Sequence, residues 1–118
     1  MRFIPCVMEV IQTEAEDFWE VTVPVEYASE AALEFAALNL GRAEKIVFAD
    51  KTECFTVHSD SVTLGKRTVA VDKDWLESVW CLFLDTHRSG WASTAHIDQD
   101  FSDKNGDLCI TIRLAAPA

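Results

Sequence analysis

Three ionisable residues at alternate positions, His96, Asp98 and Asp100, stand in the run His96-Ile97-Asp98-Gln99-Asp100. In an extended chain all three project from one face, because strand side chains alternate with a period of two. An imidazole beside two carboxylates can ligate a divalent metal or divide acid and base work. The same spacing also serves as the polar outer face of a strand that buries Ile97 and Phe101, with Arg113 as the expected partner of Asp98. Cys54 and His58 share a face of an earlier run and reach such a site only if the sheet order brings them there.

Other chemical constellations are incomplete. Asp103-Lys104-Asn105-Gly106-Asp107 opens like a calcium loop, but Leu108 stands where that loop needs glycine and Leu114 where it needs its final glutamate. A tight hairpin turn accounts for all five residues. No signature sets a Cys or Ser beside His58, His87 or His96 as an activated nucleophile. The four glycines, Gly41, Gly65, Gly90 and Gly106, are isolated, so no phosphate-cradling loop exists. No catalytic residue, metal or cofactor is expected. Cys6, Cys54, Cys81 and Cys109 form no C-x-x-C pair and sit among apolar residues, which suggests free thiols in a reducing cytoplasm. Two disulfides, in any of three pairings, are the alternative.

The elements that must position these residues follow from periodicity. Residues 3 to 11 alternate, with Ile4, Cys6, Met8 and Val10 on one face, and residues 18 to 27 do so with Trp19, Val21, Val23, Val25 and Tyr27. The polar segment 13 to 17 joins them as an antiparallel hairpin. Pro24 lacks an amide donor, which assigns the second strand to a sheet edge. A helix over about 29–40 follows, capped by Ser29, with Leu33, Ala36, Ala37 and Leu40 as its apolar stripe and Gly41 as its stop. Residues 44 to 71 read as a four-strand antiparallel meander. A second helix over about 75–88 starts at Asp74 and Glu77, a capping box, carries the stripe Leu76, Val79, Trp80, Phe83, Leu84 and His87, and ends at Gly90. Last comes a hairpin turning at Asn105-Gly106 in a type I′ turn, pairing Lys104 with Asp107, Asp98 with Arg113 and Asp100 with Thr111. The order β-β-α-β-β-β-β-α-β-β describes an α+β fold, a mainly antiparallel sheet with two helices packed on it, in one domain over 1–118.

Charge narrows the function classes. The 118 residues include 20 acids against 10 Lys and Arg, a net charge of −10, with 49% hydrophobic residues. That apolar content excludes disorder, and the acidity excludes direct nucleic-acid binding. No run is long enough to cross a bilayer, and the N-terminal run is interrupted by Glu9 before any leader-like cleavage site. The chain reads as a cytoplasmic protein. Residues 1 to 40 hold eight acids against Arg2 alone. Glu14, Glu16 and Asp17 cluster at the hairpin tip, Glu20 and Glu26 lie on the outward side of the second strand, and Glu30 with Glu34 share a helix face.

A solvated, solubilising surface explains such a block without a partner. The sharper expectation is a non-enzymatic protein-binding module that presents these seven residues to a basic partner as a phosphate mimic. In composition alone it is similar to toxin-immunity and phage anti-defence (anti-CRISPR-like) inhibitors that cover a nuclease or nucleic-acid-binding complex; no motif identifies a family. Two rivals stand beside it: a small-molecule-binding domain or enzyme with a pocket near His96 and Asp98, and a homodimeric subunit self-paired through an edge strand. Trp19, Trp75, Trp80 and Trp91 are mostly core, and an exposed one would anchor a partner.

Overall fold

A computed structural model describes residues 3–51, 53–89 and 96–115. The fold is α+β, in the element order anticipated above, with the first strand kinked into two. Strands β1 (Phe3–Pro5) and β2 (Val7–Gln12) are that one extended run, which changes sheets at Cys6. Then come β3 (Glu16–Pro24), a 3-10 turn at Val25–Tyr27, α1 (Ala28–Asn39), β4 (Lys45–Ala49), β5 (Cys54–His58), β6 (Ser61–Leu64), β7 (Arg67–Ala70), α2 (Lys73–Ser89), β8 (His96–Asp103) and β9 (Gly106–Ala115).

There are two sheets where one was expected, ordered β1-β4-β5-β6-β7 and β2-β3-β9-β8. The β4–β7 meander is antiparallel throughout, as its turn chemistry requires. Two pairings are parallel, β1 with β4 and β3 with β9. Because β1 and β2 are continuous, the sheets form a curved wrap around one core. Its seam is held by Cys6 N–H to the Ala49 carbonyl at 3.3 Å and Met8 N–H to Asp50 Oδ2 at 3.0 Å. At the open side, the Arg67 guanidinium on β7 reaches Asp103 Oδ1 at 2.8 Å, the Gly106 carbonyl at 2.7 Å and Asp17 at 3.5 Å. Side-chain hydrogen bonds there close what the ladder leaves open.

The core joins both sheets to both helices. Phe35 of α1, Phe48 of β4 and Phe83 of α2 meet with ring centroids 5.7 to 6.3 Å apart, and Phe55 of β5 adds a fourth ring 5.8 Å from Phe48. Tilted and stacked contacts at such separations contribute stability beyond the area these rings bury.

Several sequence expectations are corrected. β3 is an interior strand between β2 and β9; Pro24 is tolerated because it is the last strand residue, opposite Ala115, where a missing donor costs least. Helix α1 starts at Ala28, and Ser29 is not its cap: the preceding 3-10 turn supplies the Val25 carbonyl to the Ala28 amide. Its buried face is Ala28, Ala31, Ala32, Phe35 and Leu38, while Leu33 and Leu40 are exposed. An Ala-rich helix has no strongly apolar side, so the bulk of Phe35 chooses the face. Gly41 does end α1, at φ 73°, with Arg42 N–H closing back on the Ala37 carbonyl at 2.8 Å. Helix α2 is capped by Asp72 and not Asp74: Asp72 Oδ1 accepts from Trp75 N–H at 2.9 Å. Its stripe holds except at His87, which is exposed; its stop at Gly90 lies outside the described residues.

The final hairpin keeps the expected face but shifts register by two. Asp103 pairs with Gly106, Asp98 with Thr111 and His96 with Arg113. Within this hairpin Gly106 alone takes positive φ, 108°, while Lys104 and Asn105 do not, so the turn at Lys104-Asn105 is not type I′. Asp103 Oδ1 accepts from Asn105 N–H at 2.7 Å and stabilises this shifted turn.

Candidate functional site

The β2-β3-β9-β8 sheet buries one face and leaves the other bare. Val21, Val23, Leu108, Ile110, Ile112 and Leu114 point inward. On the outer face the register aligns side chains in rows across four strands. One row is Glu9, Glu20, Thr111, Asp98, and the next is Ile11, Phe18, Cys109, Asp100. Toward the hairpin ends lie Glu16, Asp107 and Ser102; toward the other end lie Val7, Thr22, Arg113 and His96. Among the described residues the face therefore carries six carboxylates, from Glu9, Glu16, Glu20, Asp98, Asp100 and Asp107, against one arginine. Among them sit exposed Val7, Ile11 and Phe18, at 66%, 50% and 39%. Glu9 stands directly opposite Glu20, an unfavourable pairing of like charges. Arg113 relieves it in part, 3.2 Å from Glu20 Oε1.

Of the seven acids anticipated, the structure gathers some and separates others. Glu16 and Glu20 lie on the bare face, and Glu14 is exposed beside it at the β2–β3 tip. Asp17 points to the other side and pairs with Arg67. Glu26, Glu30 and Glu34 follow the far end of β3, and the eight residue steps from Glu16 to Pro24 span roughly 26 Å. They form a separate group on the 3-10 turn and α1. The residues that complete the patch, Asp98, Asp100 and Asp107, come from a hairpin about 80 positions downstream. Alternation placed them on an outer face, but only the parallel β3–β9 pairing puts that face beside Glu20.

No protein-family model, no curated protein and no solved structure matches this chain.

His96 and Asp98 do interact, at 3.4 Å, and Asp98 also accepts from Thr111 Oγ1 at 2.6 Å. Both border a cleft of about 340 Å³ with Asp72, Asp74 and Trp75, in which Asp72 is already engaged as the α2 cap. Asp98 does not meet Arg113 across the ladder, because the register shift sets it against Thr111. Cys54 and His58 lie on β5 in the other sheet and do not join this pair. Among the described residues no group of three His, Cys, Asp or Glu could hold a metal ion.

The cysteines are free: Cys6 is buried, Cys54 and Cys81 are exposed, and Cys109 is half-buried on the bare face. Burial pushes the Cys6 thiol up to about 12, with Asp50 and Cys54 adding to the effect. Burial likewise raises Cys109, and the nearby Asp100 and Asp98 carboxylates reinforce it against a hydrogen bond from Thr111. Raised thiols are poor nucleophiles, so neither has the character of a catalytic cysteine. Trp75 is buried and Trp19 half-buried. Trp80 is half-buried and lines a shallow apolar groove between the helices with Leu33 and Leu84. Trp91 lies outside the described residues. No described helix is long and apolar enough to cross a membrane.

Proposed function

We propose that this chain is a non-catalytic protein-binding module that uses the bare face of the β2-β3-β9-β8 sheet to cover a basic surface. Most concretely, it inhibits a nuclease or nucleic-acid-binding complex, as an immunity or anti-defence protein does. One observation carries the reading: among the described residues, six carboxylates from two distant hairpins share one exposed face, with Arg113 and His96 as the basic side chains beside them. A folding domain gains nothing from setting Glu9 against Glu20, whereas a partner's lysines and arginines would turn that repulsion into attraction. The charge would accelerate encounter, and desolvation of Phe18, Ile11 and Val7 would supply apolar anchoring. The reading moves the centre of the site from the first-third block to this face, retaining Glu14, Glu16 and Glu20.

The test is capture on the immobilised chain, elution with salt, and challenge of the captured protein with duplex DNA. The expected partner is basic, leaves early in the gradient and is displaced by DNA. Combined Glu9→Gln, Glu20→Gln, Asp98→Asn and Asp100→Asn should abolish capture in a chain that still folds. Capture that survives both the substitutions and the DNA would overturn the reading.

A further inference from the structure

The outer strands of the two sheets are guarded unequally. β8 carries Asp98, Asp100 and Asp103, β1 contains Pro5, and β7 is fastened to the opposite hairpin by Arg67. Charge, proline and covering are the usual means by which an edge avoids pairing with another chain. The end of β2, Val10-Ile11-Gln12, has none of them.

Its hydrogen-bonding groups can be assigned. Met8 N–H points away from β3, since it donates to Asp50 Oδ2. Direction alternates along an antiparallel strand, so the amides of Val10 and Gln12 also point away from β3, beyond the reach of the Asp50 cap. Ile11, between them, is half-exposed on the bare face.

We infer that this edge pairs with the same edge of a second copy, antiparallel, about a two-fold axis through Ile11. The register is selected by what is already occupied. An axis through Val10 or through Glu9 would require the Met8 amide, which Asp50 holds, and the Glu9 axis would also oppose two glutamates. The Ile11 axis bonds centrally through Val10 and Gln12, each to the other's counterpart, and leaves only its outermost pair, Met8 with Glu14, unbonded because Asp50 holds the Met8 amide. It sets Ile11 against Ile11 at the closer, non-hydrogen-bonded spacing of about 4.5 Å between Cα atoms. Glu9 then faces Thr13 of the second copy. Met8 faces Glu14 of the second copy, beside exposed Lys51, which follows Asp50 and complements that carboxylate. The result is one eight-stranded sheet with both acidic faces on the same side. This inference stands on the edge geometry and is independent of the proposed partner.

Oxidative cross-linking tests it. In a background with Cys54, Cys81 and Cys109 replaced by Ser, leaving only buried Cys6, Ile11→Cys should form a disulfide-linked dimer. Glu9→Cys should not, because that residue lies four positions from its own counterpart. Sedimentation of the unaltered chain should show a concentration-dependent dimer, weakened about fivefold or more by Ile11→Lys, which opposes two like charges in place of an apolar pair. Since both copies are acidic, added salt should strengthen this association, whereas it weakens capture of a basic partner. A chain that stays monomeric at every concentration overturns the inference, as does cross-linking through Glu9→Cys equal to that through Ile11→Cys. Pairing of this edge with a strand from another protein, with no self-association in that protein's absence, also overturns it.

Discussion

Asp50 joins the two sheets through Met8: its Oδ2 accepts the Met8 amide at 3.0 Å, while its Oδ1 accepts the amide of Glu53 at 2.7 Å. One carboxylate thus fastens the start of β2 to the turn between β4 and β5. The chain changes sheets at Cys6 without an unpaired amide at the seam, because Ala49 serves Cys6 and Asp50 serves Met8. Replacing Asp50 with Ala leaves both the Met8 and Glu53 amides without that acceptor. The expected loss is about 1–3 kcal/mol, read from urea unfolding. Asp50→Asn keeps one carbonyl acceptor and should lose less.

Arg67 is the corresponding fastening on the open side, with its side chain largely buried and bonds to Asp103 and Gly106. Arg67→Met keeps much of the apolar stem and removes the fork. Stability should fall by about 1.5–3 kcal/mol, the range for bonds to charged groups. Amide exchange should accelerate first around Asp103–Gly106. Arg67→Lys should recover only part of the loss, since one ammonium cannot hold Asp103 and Gly106, which Nη2 bonds, and also replace Nη1 beside Asp17.

The ring cluster predicts where the core is least tolerant. Phe83 is fully buried and contacts both Phe35 and Phe48. Phe83→Ala should cost about 3–5 kcal/mol, a large share of the roughly 5–15 kcal/mol that holds a domain folded, read as a lowered urea midpoint. Leu33→Ala, on the exposed side of α1, should change thermal stability little.

Function and stability should oppose each other at Glu9. Removing its charge relieves the cross-strand repulsion with Glu20, so Glu9→Gln should stabilise the fold by about 0.2–1 kcal/mol at low salt. The gain should shrink as salt screens the pair. A partner captured through this face should bind Glu9→Gln more weakly. A gain in stability with no loss of capture would separate Glu9 from the binding surface.

Alkaline pH should destabilise the protein through Cys6. Its thiol is held protonated up to about 12 in the fold, whereas an unfolded thiol ionises near its ordinary value of 9.0. Between those values the unfolded state binds fewer protons than the native state, so stability falls as pH rises. Below about 9 both states are protonated and the contribution is constant. Denaturation midpoints measured from pH 8 to 11 should decline, and Cys6→Ala should flatten that decline. Alkylation at neutral pH should modify Cys54 and Cys81 before Cys6.

What the residue pattern determined by itself was local. The meander β4–β7 was legible because each strand alternates and each turn carries its own chemistry. Helix α2 was legible from its spacing, and the end of α1 from the freedom of Gly41 at positive φ. The inward face of the last hairpin was legible because parity survives a register shift of two; the partners of Asp98 were not, since Asx capping at Asp103 decides the turn. Nor was the face of α1 legible, where alanines leave the choice to how Phe35 meets Phe48 and Phe83.

The acidic character was visible from composition, but its location was decided by tertiary structure. No local pattern announces that β1 and β2 divide at Cys6 between sheets, or that β9 lies parallel to β3. Those pairings depend on residues about 90 positions apart, joined by backbone hydrogen bonds that any sequence can make. They set Glu9 and Glu20 in line with Asp98, and leave the end of β2 as the unguarded edge among those described. Alternation and capping act through neighbouring residues and can be read along a chain, whereas the meeting of two distant faces is settled only when the whole core is packed.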